Sequence, residues 1–236
     1  MTHADATTHT PTSTLGRRLL WAGLATTILT VGLIIWADIP LATFLQGHRQ
    51  AAWMAFFAFI TDFASGFIWY PVALAGIGAA YVRHKYRAPN PAAWIKESRA
   101  WIFMIITMAS SGTIINAVKL LVGRERPRFL FRDGTADFHP LGLELADCSF
   151  PSGHTQSIWA AMLALSFLMP SLRPVFFAVA ILVSASRVMI GAHYAGDVVA
   201  GLYIAVAATL LWRRWFERNG IALMLRQPHG AGVAST

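Results

Sequence analysis

The sequence predicts an all-α membrane protein, a polytopic bundle of about six transmembrane helices. Its 236 residues are 56% hydrophobic and only 13% charged, and the mean hydropathy is +0.53. A soluble domain usually carries about a quarter charged residues. Long apolar runs explain the charge that is missing here, and the 9 tryptophans suit helices anchored at a membrane interface. These observations favour a bundle embedded in a bilayer.

Six apolar segments are candidate spans, because a helix needs about 20 residues to cross a bilayer. The first follows Arg17 and Arg18 and is interpreted as an uncleaved helix. A signal peptide is the alternative, disfavoured because no small-residue cleavage pattern follows Trp36. The fourth is short and reaches about 19 residues if its helix begins at Pro151. The six segments are residues 19–37, 66–82, 101–122, 155–169, 174–190 and 198–212.

The remaining segments are expected to be short and peripheral. Residues 1–16 are interpreted as a disordered cytoplasmic tail, 17–218 as a single transmembrane domain, and 219–236 as a cytoplasmic C-terminal tail. Residues 51–63 predict a short helix lying at the membrane interface, and residues 129–150 a polar loop. We hypothesise that these last two segments shape the entrance for a headgroup.

The loop charges predict the orientation of the bundle. With a cytoplasmic N-terminus, the cytoplasmic segments hold 12 of the 19 basic residues but only three of the 11 acidic ones. Lys and Arg are enriched on the cytoplasmic side of membrane proteins, so this orientation is favoured. The net charge of +8 is then mostly a topology signal, and nucleic-acid binding is disfavoured. The 12 residues are Arg17, Arg18, Arg83, Lys85, Arg87, Lys96, Arg99, Arg173, Arg213, Arg214, Arg218 and Arg226.

With this topology, three groups of polar residues collect at the non-cytoplasmic face. The first is Lys119 with Arg126 and Pro127. Seven residues along a helix return a side chain to nearly the same face, so the two cations could bend toward one point. Pro127 places Arg126 at or near the helix end. The alternative is that both cations only extend toward the headgroups. That alternative, with headgroup contact as an option, is kept for Arg124, Arg128 and Arg132.

The second group is Pro151, Ser152, Gly153 and His154, directly before an apolar helix. Amides at a helix N-terminus are unpaired and the helix dipole is positive there, which suits an anion. Gly153 allows close backbone approach, and Ser152 can cap the helix or donate to a phosphate. His154 could act as a general acid. An ordinary serine cap beside an interfacial histidine is the alternative.

The third group is Ser186 and Arg187, then His193 and Asp197. Residues four apart on a helix face the same side, so His193 and Asp197 are expected to hydrogen-bond. A carboxylate on one imidazole nitrogen leaves the other free to attack or to take a proton. Ionisable residues inside a membrane are costly and tend to be functional, although a purely structural pair remains an alternative. A break in the helix is expected before His193.

Together the three groups supply the parts that phosphoryl transfer needs: cations, helix amides, a nucleophile and an acid. The sequence has no Walker loop, no HExxH and no acidic cluster of the kind that holds two metals. The expectation is therefore a metal-independent phosphatase without a cofactor.

The residues in these groups resemble the signature of the type 2 phosphatidic acid phosphatase (PAP2) superfamily. K-x6-R-P stands at residues 119–127, P-S-G-H at 151–154 and S-R-x5-H-x3-D at 186–197, complete and in order. The resemblance covers about the central third of the chain and implies the integral membrane branch. It implies His193 as the phosphorylated nucleophile, oriented by Asp197, and His154 as the acid on the leaving oxygen. It also implies a phosphate cradle of Lys119, Arg126, Arg187, Ser152 and the Gly153 amide.

The motifs leave the substrate open. Undecaprenyl diphosphate is narrowly preferred, and phosphatidylglycerophosphate, phosphatidic acid and the phosphate of lipid A are alternatives. A lipid phosphotransferase with the same intermediate and a non-enzymatic lipid transporter or scaffold are further alternatives, whereas soluble acid phosphatases and vanadium haloperoxidases do not fit the spans. The expected location is the plasma (inner) membrane with both termini cytoplasmic, and no obligate protein partner is inferred. The oligomeric state stays open.

Overall fold

The computed structural model describes residues 12–87, 89–221 and 223, and over these residues the protein is helical, with isolated bridges but no strands. The all-α prediction is confirmed. Short π-helical turns at Leu33–Ala37 and Arg83–Arg87 and 3-10 turns at Asp62–Ala64 and Pro170–Leu172 join some of the helices. The α-helices are α1 Thr12–Gly32, α2 Asp38–Gly47, α3 Ala52–Thr61, α4 Gly66–Val82, α5 Pro91–Val122, α6 Pro127–Arg132, α7 Gly153–Leu168, α8 Arg173–Met189 and α9 Ala195–Arg218.

Four helical segments of the described chain are each long and apolar enough to cross a membrane: Thr14–Gly47, Pro91–Val122, Pro170–Met189 and Ala195–Arg218. The pair α3 and α4 adds a fifth if this pair, bent by 45°, is one span. Large apolar side chains face outward, as expected in lipid; Phe67 is 89% exposed. The protein is therefore integral to a membrane, and the number six stays a prediction.

The first helical segment is longer than the predicted span 19–37. Helix α1 begins at Thr12, so residues 12–16 are helical, whereas residues 1–11 of the predicted tail lie outside the described part. At the other end a π-helical turn leads without a break into α2. Asp38, expected just beyond the span, is consequently buried within the bundle.

Helix α5 begins ten residues before the predicted span, at Pro91 after the cap Asn90, and ends where Gly123 turns left-handed at φ 58°. A Cβ at Gly123 would lie 1.9 Å from the His139 carbonyl oxygen, so the chain can turn here only with glycine. The prediction that Lys119 and Arg126 share one helical face is therefore wrong. Arg126 is instead the residue before α6.

Helix α7 lies at the centre and packs against α5, α8 and α9, with nearly every residue buried. It has 16 residues and begins at Gly153, two residues before the predicted span 155–169 and two after Pro151. Its N-terminus approaches α9 closely, because a Cβ at Gly201 would lie 2.4 Å from the Ser152 carbonyl oxygen. This contact fixes the start of α7 against the start of α9.

The two segments expected at the entrance fold as follows. Within residues 51–63, Ala52–Thr61 form α3, which packs against α8 and buries Met54 and Ile60. The 129–150 segment begins inside α6 and then pairs back on the chain after α5, through the bridges Arg124–Phe138 and Glu125–Cys148. At the C-terminus α9 runs to Arg218, past the predicted 212, and most of the predicted tail lies outside the described residues.

Candidate active site

The three predicted groups meet at one end of the bundle, as expected. The Ser152 amide donates to the Asp197 carbonyl oxygen at 2.9 Å, and the Lys119 ammonium donates to the carbonyl oxygens of Cys148 and Ser149. A cavity of about 330 Å³ lies there between α4, α5 and α7. Five of the eight predicted site residues line it: Lys119, Arg126, Gly153, His154 and His193.

Lys119 and Arg126 form the cationic wall of the cavity. Lys119 is 5% exposed, and Arg126 Nη1 lies 3.4 Å from the Ala192 carbonyl oxygen. Arg126 Nε is buried and has no protein partner among the described residues. A buried N–H without a partner costs free energy unless another group accepts from it. The wall therefore retains donor capacity for an anion in the cavity.

Ser152 caps α7, one of the two roles that the sequence allowed, and its contact with phosphate stays a prediction. Its hydroxyl accepts hydrogen bonds from the Thr155 amide at 3.3 Å and from the Thr155 hydroxyl at 3.0 Å. Ser152 is fully buried beneath the cavity wall, whereas Gly153 and His154 line the cavity itself. The positive end of the central helix therefore points at the cavity.

His193 precedes α9, so it does not share a helical face with Asp197 as predicted, although the two side chains are close. The expected break falls at residues 190–194, where Gly191 has φ 68°. His193 Nδ1 lies 3.6 Å from Asp197 Oδ2, beyond hydrogen-bond distance, and 3.4 Å from Ser149 Oγ. The Ser149 hydroxyl in turn donates to Asp197 Oδ2. Ser149 thus connects the imidazole to the carboxylate.

The two histidines face each other across the cavity, with ring centroids 6.5 Å apart. His193 is 1% exposed, and its Nε2 has no protein partner among the described residues. Burial lowers the pKa of His193 to about 4; Asp197 opposes this shift, and Arg126 and Lys119 add to it. The ring is therefore neutral near pH 7, and Nε2 is available as a nucleophile.

Arg187 is buried near the end of α8 and does not line the cavity. Its Nη1 donates to the Thr61 hydroxyl at the end of α3, and its carbonyl oxygen accepts from the His193 amide at 3.1 Å. Its Nε has no protein partner among the described residues. Arg187 therefore links α3 to the turn that carries His193. No residue of 51–63 or 129–150 lines the cavity, so neither segment forms its wall.

Arg124 and Asp38 were missed by sequence reasoning. The interpretation of Arg124 as an interfacial cation is wrong: it is 2% exposed, and its Nη1 lies 2.8 Å from both Asp38 Oδ2 and Asp197 Oδ1. One signal was available, since Arg124 lies within the 119–127 motif. A second was that Asp38 ends a long apolar run, where an acid is costly.

One group of possible metal ligands lies outside the cavity. Atoms of Glu125, Asp137 and His139 lie within 4.8 Å of one another. Glu125 already accepts hydrogen bonds from the Asp137 amide at 3.0 Å and makes a 3.2 Å contact with His139 Nε2. These contacts account for the cluster without an ion.

Comparisons with known proteins agree with this geometry. The PAP2 superfamily profile matches residues 100–221. A lipid A 1-phosphatase of Rhizobium johnstonii is 32% identical over 187 residues, covering 78% of this chain and 70% of that protein. A lipid A 1-phosphatase of Rhizobium etli is 37% identical over 128 residues, covering 53% of this chain and 55% of the Rhizobium etli protein.

One solved structure is similar in fold. The transmembrane PAP2-type phosphatidylglycerolphosphate phosphatase from Bacillus subtilis aligns with a TM-score of 0.63 at 21% identity, covering 85% of this chain and 96% of that one. At this identity the likeness concerns the fold alone. The extent of the profile match and the identity to the first Rhizobium protein establish the family: this chain belongs to the PAP2 superfamily and is a membrane phosphatase.

Proposed function

We propose that this phosphatase removes the phosphate of a lipid A-type glycolipid through a phosphohistidine on His193. The observation that carries the proposal is one cavity holding His193 Nε2, His154, Lys119 and Arg126 together. Cations there can neutralise phosphoryl oxygens, and because Lys119 and His193 are almost completely buried, charges at this point act strongly. Two histidines on opposite walls suit attack from one side and departure on the other.

In the first half-reaction His193 Nε2 attacks phosphorus, a P–N bond forms and the bond from phosphorus to the lipid oxygen breaks. His154 donates the proton that the leaving oxygen requires. Burial and the nearby cations lower the pKa of the free His154 to about 3, so the negative charge of the bound phosphate must stabilise its protonated form. The Nδ1 proton of His193 stays on the ring, directed at Ser149 Oγ and Asp197 Oδ2. Lys119 and Arg126 hold the phosphoryl oxygens, with the start of α7 beside them, and Arg187 supports the turn behind His193.

In the second half-reaction a water molecule attacks the phosphohistidine. His154, now deprotonated, accepts a proton from that water as the P–N bond breaks, and inorganic phosphate forms. The electron pair of the P–N bond returns to His193 Nε2, which restores the neutral ring. Each histidine thus ends the cycle as it began.

The substrate proposal rests on the names of the two relatives and on the polar groups of the cavity. Both Rhizobium relatives are named lipid A 1-phosphatases. Beside Lys119 the cavity is lined by Asn116 and Ser157, whose amide and hydroxyl suit the hydroxyl and amide groups of a sugar. Lipid A therefore takes precedence over undecaprenyl diphosphate, which the sequence alone narrowly favoured and which neither relative supports.

The proposed location is the inner membrane, with the cavity on its non-cytoplasmic side. The starts of α1, α5 and α8 and the ends of α4 and α9 lie at the opposite end of the bundle, and these segments with their flanks carry 11 of the 19 basic residues. Since Lys and Arg favour the cytoplasmic side, this arrangement supports a cavity facing outward.

The test is phosphate release by the purified protein in detergent with EDTA present. We expect release from lipid A bearing a 1-phosphate to exceed release from undecaprenyl diphosphate, phosphatidylglycerophosphate and phosphatidic acid. His193→Ala, which removes the nucleophile, is expected to lower the rate on the order of 10⁴-fold. Release that persists in His193→Ala would contradict the mechanism. Phosphorylated product appearing only with an added lipid or sugar acceptor would identify a phosphotransferase instead.

A further inference from the structure

A buried group of three charges lies behind His193, away from the cavity. Arg124 Nη1 donates to Asp38 Oδ2 and to Asp197 Oδ1, each at 2.8 Å. The three residues are at most 2% exposed, and none of them lines the cavity. Buried charges are costly unless they are paired and hydrogen-bonded, and removing one partner leaves the others buried and unpaired. The group therefore calls for a role that does not involve direct contact with substrate.

The group joins three parts of the fold that are distant in sequence. Asp38, at the start of α2, also accepts from the Gly196 amide in the first turn of α9 at 3.0 Å. The Arg124 guanidinium lies over the Tyr194 ring, 4.1 Å from its centroid, and its carbonyl oxygen accepts from the Ser149 amide at 2.6 Å. Arg124 is thus fixed by the first helical segment, by α9 and by the loop that carries Ser149.

We propose that Asp38 and Arg124 are positioning residues for this reaction, which hold the Asp197 carboxylate in place and set the charge behind His193. The inference rests on the proposed role of His193 as nucleophile. It adds to the three signature motifs a residue from the first helical segment, outside the matched region 100–221.

The positioning follows from the separate partners of the two carboxylate oxygens. Asp197 Oδ1 accepts from Arg124. Asp197 Oδ2 accepts from the Tyr194 amide at 2.9 Å and from the Ser149 hydroxyl, and it faces His193 Nδ1. No other described residue donates a hydrogen bond to Oδ1, so without Arg124 the carboxylate could rotate away from the imidazole. Asp38 fixes Arg124 in turn, because both aspartates share the single nitrogen Nη1.

The charge follows from simple addition. One cation and two carboxylates give the group a formal charge of −1, and exchanging Asp38 for a neutral residue would bring it to zero. When His193 Nε2 bonds to phosphorus, the ring becomes positively charged, so a net negative group behind it stabilises the intermediate. The other charged or titratable groups around His193 are Lys119 on α5, Arg126 before α6, His154 on α7 and Arg187 on α8.

The experiment compares the full-length wild type with Asp38→Asn and with the double variant Asp38→Asn/Arg124→Gln. The measured quantities, with lipid A 1-phosphate in detergent, are kcat and the acid limb of the pH profile of kcat/KM. Asp38→Asn removes one negative charge, so His193 holds its proton less tightly and the limb moves to lower pH, by on the order of one pH unit. We expect kcat to fall about 10- to 100-fold, the range for partners that orient metal-bound histidines.

The double variant restores the charge of −1 and should return the acid limb toward its wild-type position while kcat stays low. A merely structural role would lower activity without opposite movements of the limb. The inference is overturned if Asp38→Asn leaves both kcat and the limb unchanged, or if the double variant keeps the limb of Asp38→Asn. Should Asp38→Asn fail to fold, Arg124→Lys is the deciding variant. Because it keeps the charge, we expect the acid limb to stay in place and kcat to fall. An unchanged kcat would overturn the inference.

Failure of the proposed function is distinguishable from failure of the inference. If the wild type releases no phosphate from any lipid phosphate, the proposed function fails. The titration of His193 is then followed directly by NMR of ¹⁵N-histidine-labelled protein, with His193→Ala to assign the signal. A lower titration midpoint in Asp38→Asn supports the inference, and an unchanged midpoint overturns it.

Discussion

The buried and the exposed ion pairs of the helical bundle have similar distances but different surroundings. At the end that carries the cavity, Arg124, Asp38 and Asp197 are almost completely buried and share hydrogen bonds of 2.8 Å. At the opposite end the Arg213–Glu217 pair has a similar distance, 2.7 Å, but its side chains are 43% and 54% exposed. Distance alone therefore does not distinguish the two kinds of ion pair; burial does.

The physical reason is the cost of removing charge from water. An exposed ion pair contributes about 0–1 kcal/mol and is screened by salt. A buried pair incurs a desolvation cost of several kcal/mol per ion, so a fold retains one where it serves some other purpose. Among the described residues, the buried charges gather around His193. Exposed pairs occur at both ends of the bundle: Arg213–Glu217 at one, Arg128–Asp147 and Arg132–Asp133 at the other.

The largest effect on activity is expected for a substitution of His154, on the cavity wall. His154→Ala removes the proton donor and should lower kcat on a lipid phosphate by about 10²- to 10⁴-fold. An aryl phosphate such as p-nitrophenyl phosphate has a leaving oxygen that needs no proton, so the decrease in kcat on this substrate should be much smaller. Steady-state kinetics on both substrates measure the difference.

The matched control is His48→Ala, which removes an exposed histidine that follows α2 and stacks on Phe44. It should leave both rates within about twofold, as for surface substitutions that disturb no buried group. Equal losses on the two substrates in His154→Ala would show that this histidine does not protonate the leaving oxygen.

An intermediate effect is expected for Asn116, which lines the cavity one turn before Lys119. Asn116→Ala should reduce kcat/KM for lipid A relative to phosphatidic acid by about tenfold, because one or two hydrogen bonds to the sugar are lost. Thr113→Ala is the control, since its hydroxyl bonds to the Ala109 carbonyl oxygen and does not line the cavity. An unchanged ratio between the two lipids would argue against a sugar subsite here.

The smallest effect is expected at the opposite end. Arg213→Gln and Glu217→Gln each break the exposed pair and should change stability by less than about 1 kcal/mol. Phosphate release should remain within about twofold of wild type. Thermal unfolding in detergent and the standard assay measure both quantities. A loss comparable to that of Asp38→Asn would remove the contrast between the buried and the exposed pairs.

Most of the helical architecture could be predicted from hydropathy, because apolar runs and membrane thickness restrict the choices. The span 174–190 lies within one residue of α8, Arg173–Met189. Helix ends were harder to predict: α5 begins ten residues early, since helices extend past the apolar region as long as capping and packing permit. The first span likewise continues through a π-helical turn that leaves no clear sequence signal.

The site was predictable where its residues belong to short motifs and unpredictable where long-range contacts decide. Five motif residues line one cavity, as the topology argument expected. The position of Asp38 depends on pairing across 86 residues of sequence with Arg124. Ser149 depends on how the 129–150 loop folds back. Sequence spacing also suggested shared helical faces that Gly123 and the turn before α9 exclude.

The cavity reaches from His193 to Phe67, a side chain that stands 89% exposed on the lateral surface of the bundle. A lipid whose phosphate lies at His193 can therefore leave its acyl chains among neighbouring lipids, and enzyme and substrate meet by diffusion in two dimensions. The quantity that governs encounter is then the mole fraction of substrate in the membrane. Diluting the substrate with inert lipid slows turnover even when its total concentration in the sample is constant.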